Sequence, residues 1–253
     1  MLLMRGHTEF GLLVVGDEIL SAKRTDKHLA HVAETLATRG MSLAWYRVAG
    51  DGRRGLSETL RQTQQQSLPV LCFGGIGATP DDNTRQAAAE AFGCRLEVHP
   101  EALALIEAQF GAEAYPNRVR MAELPEDCLL IPNPINRIPG FTLYEHHFFP
   151  GFPNMAWPML DWVLETYYPW MEEKSAERSV QIRGAPESSL YELMESLSVR
   201  HGQAQLFSLP HMGADSYIEL GFRGKQAVLR KAFADLLAEL SARKLRFELV
   251  RGE

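Results

Sequence analysis

Residues 71–85 read Leu71-Cys72-Phe73-Gly74-Gly75-Ile76-Gly77-Ala78-Thr79-Pro80-Asp81-Asp82-Asn83-Thr84-Arg85, and they restrict the fold more than any other stretch. Pro69 to Phe73 is short and apolar, as a strand buried on both faces must be. Gly74, Gly75 and Gly77 allow backbone angles that side chains forbid and let another group approach the main chain. Pro80 suits a first helical position and Asp81, Asp82 and Thr84 suit a first turn, so a helix is expected from about Asp81 to Phe92, stopping at Gly93. A glycine turn feeding a helix start presents free N–H groups and the positive end of a helix dipole, a place for phosphate or another anion. The same pattern also arises from geometry alone in many α/β folds. It is neither a dinucleotide fingerprint nor a Walker loop, because Gly-x-Gly-x-x-Gly and Gly-Lys-Ser/Thr are both missing.

The flanking chain repeats the strand-then-helix rhythm. Phe10 to Val15 reads as a strand, Gly16 to Leu20 as a turn, about Asp26 to Arg39 as a helix ended by Gly40, and Leu43 to Val48 as a strand. A helix from about Leu56 to Gln66 leads into the central strand. That order favours a mostly parallel sheet covered on both faces. Acidic residues follow three strand ends: Asp17 with Glu18, Asp51, and Asp81 with Asp82. Ligands of open α/β sheets bind at that edge. A lone acidic turn carries little weight, since Asp is a common turn residue.

Further on, Pro100 to Phe110 reads as a helix, Pro116 to Met121 begins a short element, and Pro125-Glu126-Asp127 turns the chain. Leu129 to Ile131 is strand-like. Residues 132–141 are too proline-rich for a helix or central strand. Thr142 to Phe149 reads as one strand, and about Met155 to Tyr168 as a helix whose aromatics pack. From about Met171 to Arg178 the chain reads as a charged linker. Strand Ser179–Arg183, helix Pro186–Val199, strands Gln203–Ser208 and Tyr217–Phe222, helix Lys225–Ala242 and strand Leu245–Val250 then spell a β-α-β-β-α-β unit. Two domains follow, residues 1–170 and 178–253.

Composition narrows the partners. With 253 residues, 45% hydrophobic and 23% charged, the chain can build a sizeable core. A net charge of −6 argues against a generally basic nucleic-acid-binding surface. Cys72, Cys94 and Cys128 have no Cys-x-x-Cys spacing, so reduced thiols in a cytoplasmic protein are expected, with Cys72 in the core. The N-terminal residues do not read as a signal peptide. No apolar stretch approaches the ~20 residues of a membrane span. His146 and His147 are adjacent in a strand, so they point to opposite faces and are not expected to share a metal.

Four blocks carry a resemblance: Gly16-Asp17-Glu18-Ile19-Leu20, Gly74 to Asp82, Pro132-Asn133-Pro134 with Pro139-Gly140-Phe141, and Pro150-Gly151-Phe152-Pro153. In that order they resemble the molybdopterin-binding (MoaB/Mog-like) domain of the competence/damage-inducible CinA family, over about residues 9–168. The module after it resembles the KH-type domain that follows in CinA proteins. The resemblance implies a three-layer α/β/α domain with a mostly parallel sheet, a small α+β module, and a homo-oligomer. Longer CinA proteins continue into an amidase domain, and that activity is expected to be absent. Relatives bind molybdopterin or its adenylylated form, and some hydrolyse the pyrophosphate of ADP-ribose-like compounds with a metal ion. By the motif match, Asp82 and Asp51 are the candidate catalytic and metal-binding acids. Gly74, Gly75, Gly77, Thr79, Asp17, Asn133, Pro134 and Arg137 are the candidate ligand-binding residues.

Chemistry fits this outline, because Mg²⁺ commonly binds through one or two carboxylates plus substrate phosphates. The alternative role for Asp81 is helix capping, a stabilisation of about 0.5–2 kcal/mol. The chain departs from its relatives where they have Thr-Thr, here Cys72-Phe73, losing two hydroxyls and bringing in a bulky ring. It departs again at Asn136-Arg137, where Arg137 brings a cation that could pair with phosphate, and at Asn154-Met155, where an acid is lost. A pterin- or nucleotide-phosphate-binding protein, with or without metal-dependent pyrophosphate hydrolysis, is the first reading. A non-catalytic sensing or interaction protein that kept the fold is the second. RNA binding through Gly221-Phe222-Arg223-Gly224 is a third, weakened because a KH clamp needs that loop between two helices.

Overall fold

A computed structural model describes residues 7–169, 176–213 and 215–250. The chain divides into two compact units, Met1–Trp170 and Met171–Glu253.

The first unit begins with β1 (Glu9–Val15), a four-residue helix α1 (Asp17–Leu20), α2 (His28–Thr38), β2 (Ser42–Ala49), α3 (Arg53–Gln64), β3 (Val70–Phe73) and α4 (Thr84–Phe92). It continues through β4 (Leu96–Val98), α5 (Pro100–Phe110), β5 (Glu123–Pro125), β6 (Leu129–Ile131), β7 (Gly140–Leu143), β8 (His146–Phe149) and α6 (Pro153–Tyr167). Six strands form one sheet in the order β2-β1-β3-β8-β7-β6. β2, β1, β3 and β8 run parallel, and β7 and β6 add antiparallel pairings at one side. Alternation along β1 builds the three layers. Phe10, Leu12 and Val14 pack with Val32 and Leu36 of α2 and with Met159, Leu160, Val163 and Leu164 of α6. Leu13 and Val15 pack on the opposite face with Leu56 and Leu60 of α3, Ala87 and Ala88 of α4, and Ile106 of α5. Every residue of β3 is buried, as its unbroken apolar run requires.

Local chemistry explains the places where sequence and structure part. α4 begins at Thr84, not near Asp81. The Asp82 carboxylate accepts from the Thr79 N–H (2.9 Å) and the Thr79 hydroxyl, and the Asp82 N–H donates to the Thr79 carbonyl (3.0 Å). Residues 79–82 therefore close into a turn, and Asp81 does not cap the helix. Residues 16–20 close into the short helix α1 instead of a plain turn. Thr142 to Phe149 is a hairpin, since Tyr144 turns the chain with φ +51°. The β4–β5 ribbon has no strong period in its three-residue strands and was not expected.

The second unit contains β9 (Ala176–Arg183), α7 (Tyr191–Arg200), β10 (Gln205–His211), β11 (Tyr217–Gly224), α8 (Gln226–Ala242) and β12 (Arg246–Leu249). Its antiparallel sheet has the order β10-β11-β9-β12. Val180, Ile182, Leu220 and Phe222 bury against Leu193 and Leu197 of α7 and Leu229 and Leu236 of α8. The helix expected from Pro186 starts at Tyr191 after a 3₁₀ turn. Gly221-Phe222-Arg223-Gly224 lies inside β11, paired on both edges, so it is no loop for a nucleic-acid backbone. Of the expected linker Met171–Arg178, the first five residues lie outside the described ones, and the last three belong to β9.

Candidate functional site

The carboxyl ends of β2, β1, β3 and β8 converge on a cavity of about 450 Å³. Each of the four sequence blocks contributes to it. Glu18 and Arg24 come from the segment after β1, and Asp51 from the end of β2. Gly74 to Thr79, Asp81 and Asp82 follow β3. Pro150, Gly151, Phe152 and Met155 follow β8, and Asn133, Asn136, Ile138 and Pro139 come from the β6–β7 connection. Phe110 and Met121 complete an apolar wall.

The glycine turn is held from behind. Gly74 and Gly75 have φ of +106° and +70°. A Cβ on either would overlap its support, the Val15 carbonyl or the Thr84 hydroxyl respectively. That hydroxyl donates to the Gly74 carbonyl at 2.9 Å, and the Thr84 N–H donates to the Gly75 carbonyl at 3.0 Å. Helix α4 is thus pinned to the turn at its first residue. Arg85, one residue on, is 2% exposed. Its guanidinium donates to the carbonyls of Gly77 (2.7 Å), Glu123 (3.1 Å) and Arg120. Burial lowers its pKa, yet it stays a cation in any ordinary buffer. It braces the far end of the turn from inside the protein.

The acids are partly spent on structure. Asp17 and Asp51 exchange hydrogen bonds: Asp17 N–H donates to Asp51 Oδ2 (2.8 Å) and Asp51 N–H donates to Asp17 Oδ1 (3.2 Å). Burial raises the Asp51 carboxyl pKa, opposed by the Asp17 N–H and reinforced by the negative charges of Asp17, Glu18 and Asp81. Asp82 Oδ2 is committed to Thr79. Asp51 Oδ1 and Asp82 Oδ1 accept no hydrogen bond from the described residues. Among those residues, no group of three His, Cys, Asp or Glu side chains stands ready to hold a metal ion.

Of the residues singled out from sequence, Gly74, Gly75, Gly77, Thr79, Asp51, Asp82 and Asn133 line the cavity. Asp17 does not line it and acts through Asp51. Pro134 and Arg137 are exposed and lie off the wall, because Asn133 Oδ1 accepts from the Ile135 N–H (3.0 Å) and Asn136 N–H (3.4 Å) and turns that segment outward. Arg137, with φ +62°, is the outer corner of this turn and not the cation of the cavity. The bulky ring of Phe73 does not enter the cavity either. It is fully buried, stacked between His28 (4.3 Å) and Phe149 (4.8 Å). His28 in turn contacts the Gly151 carbonyl through Nε2 (3.2 Å), so this stack supports the second glycine turn. Sequence reasoning missed Arg24 and Arg85. Neither stands in a recognisable pattern, and only the folded chain brings Arg24 back beside Glu18.

The histidine pair separates as strand alternation requires. His146 meets Thr63 Oγ1 (2.9 Å) on one face of the sheet, and His147 meets Thr142 Oγ1 and Tyr168 OH (both 2.9 Å) on the other. Cys72 is buried, and burial pushes its thiol pKa well up. Among the described residues no helix is long and apolar enough to cross a membrane.

Comparison with known proteins gives a consistent family. The family model for the probable molybdopterin binding domain matches residues 11–170. A CinA-like protein of Citrifermentans bemidjiense is 32% identical over 206 residues, 77% of this chain and 49% of that protein. A CinA-like protein of Syntrophotalea carbinolica is 29% identical over 229 residues, 85% and 54% respectively. The chain thus spans about half the length of these relatives. Among solved structures, the protein CinA from Thermoplasma acidophilum, described as of unknown function, aligns with a TM-score of 0.58 at 25% identity. That alignment covers 63% of this chain and 97% of the other.

Proposed function

The chain belongs to the molybdopterin-binding-domain family, with CinA-like proteins as its relatives, and on that premise we propose that the cavity binds a pterin or nucleotide through its phosphate or diphosphate. The observation that carries this reading is the convergence of the glycine turn, Asn133 and the 150–155 segment on one cavity at the carboxyl edge of the sheet. In this reading the N–H groups of Gly75 and Gly77 take a phosphoryl group, as backbone donors beside a helix start do, while the Gly74 N–H donates to the Phe149 carbonyl (3.0 Å) and ties the turn to β8. The apolar wall of Ile76, Phe110, Met121, Ile138 and Met155 receives a flat ring, as such walls do in ligand pockets. Thr79 shapes the turn by holding Asp82.

Turnover is a further step of the same proposal. Asp51 and Asp82 each keep one carboxylate oxygen without a described partner. That supply fits Mg²⁺ only where phosphates complete the shell, the usual mode for this ion. Those two carboxylates would hold it, and Asp17 would orient Asp51. When bound, such an ion supplies Lewis acidity at a phosphoryl oxygen and lowers the pKa of a water. Arg85 and Thr84 keep the turn in place during the reaction without touching the ligand.

A second reading is favoured by one observation. The second carboxylate oxygens of Asp82 and Asp51 already serve loop structure, so both acids have a reason to be present without catalysis. In that case the protein senses a ligand and turns nothing over.

The experiment is thermal stabilisation of the purified chain by molybdopterin, ADP-ribose, FAD, NAD and CoA, each with and without Mg²⁺ or Mn²⁺, with product analysis of every hit. Stabilisation by a diphosphate with metal, together with monophosphate release that is abolished in Asp82→Asn, supports hydrolysis. Stabilisation without products supports sensing. No stabilisation by any of them overturns the phosphate site.

A further inference from the structure

The second unit leaves one face of its sheet open. Val180 and Ile182 of β9 and Ile218, Leu220 and Phe222 of β11 are buried with residues of α7 and α8. Side chains alternate along a strand, so the residues between them stand on the opposite face. Two neighbouring rows cross that face over all four strands. In the first, register aligns Leu209 with Glu219, Glu219 with Gln181, and Gln181 with Glu248. In the second it aligns His211 with Tyr217 and Arg183 with Arg246. The Arg183 guanidinium joins the halves of this second row, 5.4 Å from the Tyr217 ring centroid. One row thus carries carboxylates and its neighbour carries arginines.

These charges are not settled within the chain. Arg183 and Arg246 face each other across β9 and β12, and like charges directly opposite are unfavourable. Both are exposed, as is Glu248, and none of the three forms an ion pair with a described residue. The Arg183 guanidinium donates only to the Asp215 carbonyl (3.4 Å) among the described residues. Glu219 is better provided for. It accepts from Ser179 Oγ (2.7 Å) and lies 3.6 Å from His211 Nε2. Toward β10 the face turns apolar. Phe207 covers Gly221, where a Cβ would meet its ring. His211 stacks on Tyr217 (4.3 Å), and Leu209 is 51% exposed.

We propose that this face pairs with the same face of a second copy of the chain, about a two-fold axis that runs across the strands between the two rows. A two-fold contact must be self-complementary, and the charge pattern selects the axis. An axis across the strands sets each arginine row on the other copy's carboxylate row, so Arg246 meets Glu248 of the partner subunit at two symmetry-related places. An axis along the strands would set arginines on arginines. The chosen axis also lays like strands over each other, so the apolar sides at β10 and β11 close together while the charged sides form a polar rim. Carboxylates beside the arginines favour a partner carrying both signs over a polyanion such as a nucleic-acid strand. This inference is independent of the phosphate-binding reading above.

The test is sedimentation equilibrium of the full chain at low and moderate salt. Wild type is expected to dimerise reversibly, and less tightly as salt rises. Arg246→Glu sets carboxylate against carboxylate twice in each dimer and should raise the dissociation constant at least about tenfold. Glu248→Arg should do the same by setting cations together. Combining the two exchanges the signs and should return the constant to within about threefold of wild type. Leu209→Glu, on the apolar side, should weaken pairing with no compensating partner. All these positions are exposed, so the melting curve of the monomer should stay near wild type. A wild-type chain that remains monomeric overturns the proposal. A dimer that neither charge reversal weakens overturns it as well, because another surface then holds the copies together. Losses in both single variants that the combined variant does not restore overturn the pairing of row on row.

Discussion

Substituting Gly75 tests how the glycine turn is held, because a second glycine supplies a matched control. Gly75 and Gly93 have nearly the same φ, +70° and +69°. A Cβ at Gly93 meets nothing within 4 Å, whereas one at Gly75 overlaps the Thr84 hydroxyl. Gly93→Ala therefore carries only the left-handed backbone cost, about 1–2 kcal/mol. Gly75→Ala carries that cost and also displaces the hydroxyl that serves the Gly74 carbonyl, a further ~1–3 kcal/mol for a buried acceptor left alone. At roughly 2–4 °C per kcal/mol for a unit of this size, the two variants separate by about 2–12 °C in Tm. Tryptophan fluorescence is the assay, since Trp45, Trp157 and Trp162 pack against the core of the first unit and, among the described residues, the second unit has no tryptophan. In a Thr84→Ala background the cost of Gly75→Ala should shrink to near that of Gly93→Ala, because the overlapping hydroxyl is gone. Equal destabilisation by Gly75→Ala and Gly93→Ala in the wild-type background would refute the idea that Thr84 pins the turn.

Three other outcomes follow from buried groups. Burial pushes the pKa of His146 down to about 4 and that of His147 down to about 3, against about 6.5 in an unfolded chain. The unfolded state then binds more protons below that value, so stability is fully present above pH ~6.5 and is lost as pH falls, by about 2 kcal/mol per histidine at pH 5; urea unfolding at pH 7 and pH 5 measures this, and a flat profile contradicts it. Arg85→Lys keeps the charge but loses the fork that serves the Gly77 and Glu123 carbonyls and should cost about 1–3 kcal/mol together with weaker phosphate binding, read by fluorescence unfolding and by titration. Burial raises the pKa of the Cys72 and Cys128 thiols, with Cys128 pushed up to about 12, so iodoacetamide at pH 8 should label neither in the native state, and mass spectrometry showing rapid modification of Cys72 would contradict its place in the core.

Much of the fold was legible because burial leaves a period. The apolar run ending at Phe73 gave the central strand, and the helical spacing of Val32 and Leu36 gave α2, although Leu29 of the same pattern is exposed and His28 takes the buried position beside it. The start of α4 was not legible. Asp81 and Asp82 have the composition of a first helical turn, and only the side-chain bonds from Thr79 show that this segment closes on itself first. The hairpin at Tyr144 was hidden for a related reason, because β7 and β8 are buried on both faces and carry no alternation to mark where one ends. The site divides in the same way. Gly74, Gly75, Gly77 and Asn133 were marked by turn chemistry and by resemblance, and all line the cavity. Arg137 was chosen as the cation because it lies in a block, but the Asn133 turn directs it outward. Arg24, in no block, is brought to the wall by the backbone bond to Glu18. Which cation reaches a cavity depends on how a loop folds back, and residue type at a sequence position does not encode that.

The central claim is that the glycine turn receives phosphate, and titration of ADP-ribose into ¹⁵N-labelled protein followed by amide NMR tests it most directly. The account predicts the largest shifts at the N–H groups of Gly75 and Gly77, smaller ones at Gly74 and Thr79, whose N–H groups are already given to the Phe149 carbonyl and the Asp82 carboxylate, and loss of the whole pattern in Gly75→Ala. Saturable shifts confined to other surfaces, with the glycine-turn amides unmoved, would contradict it.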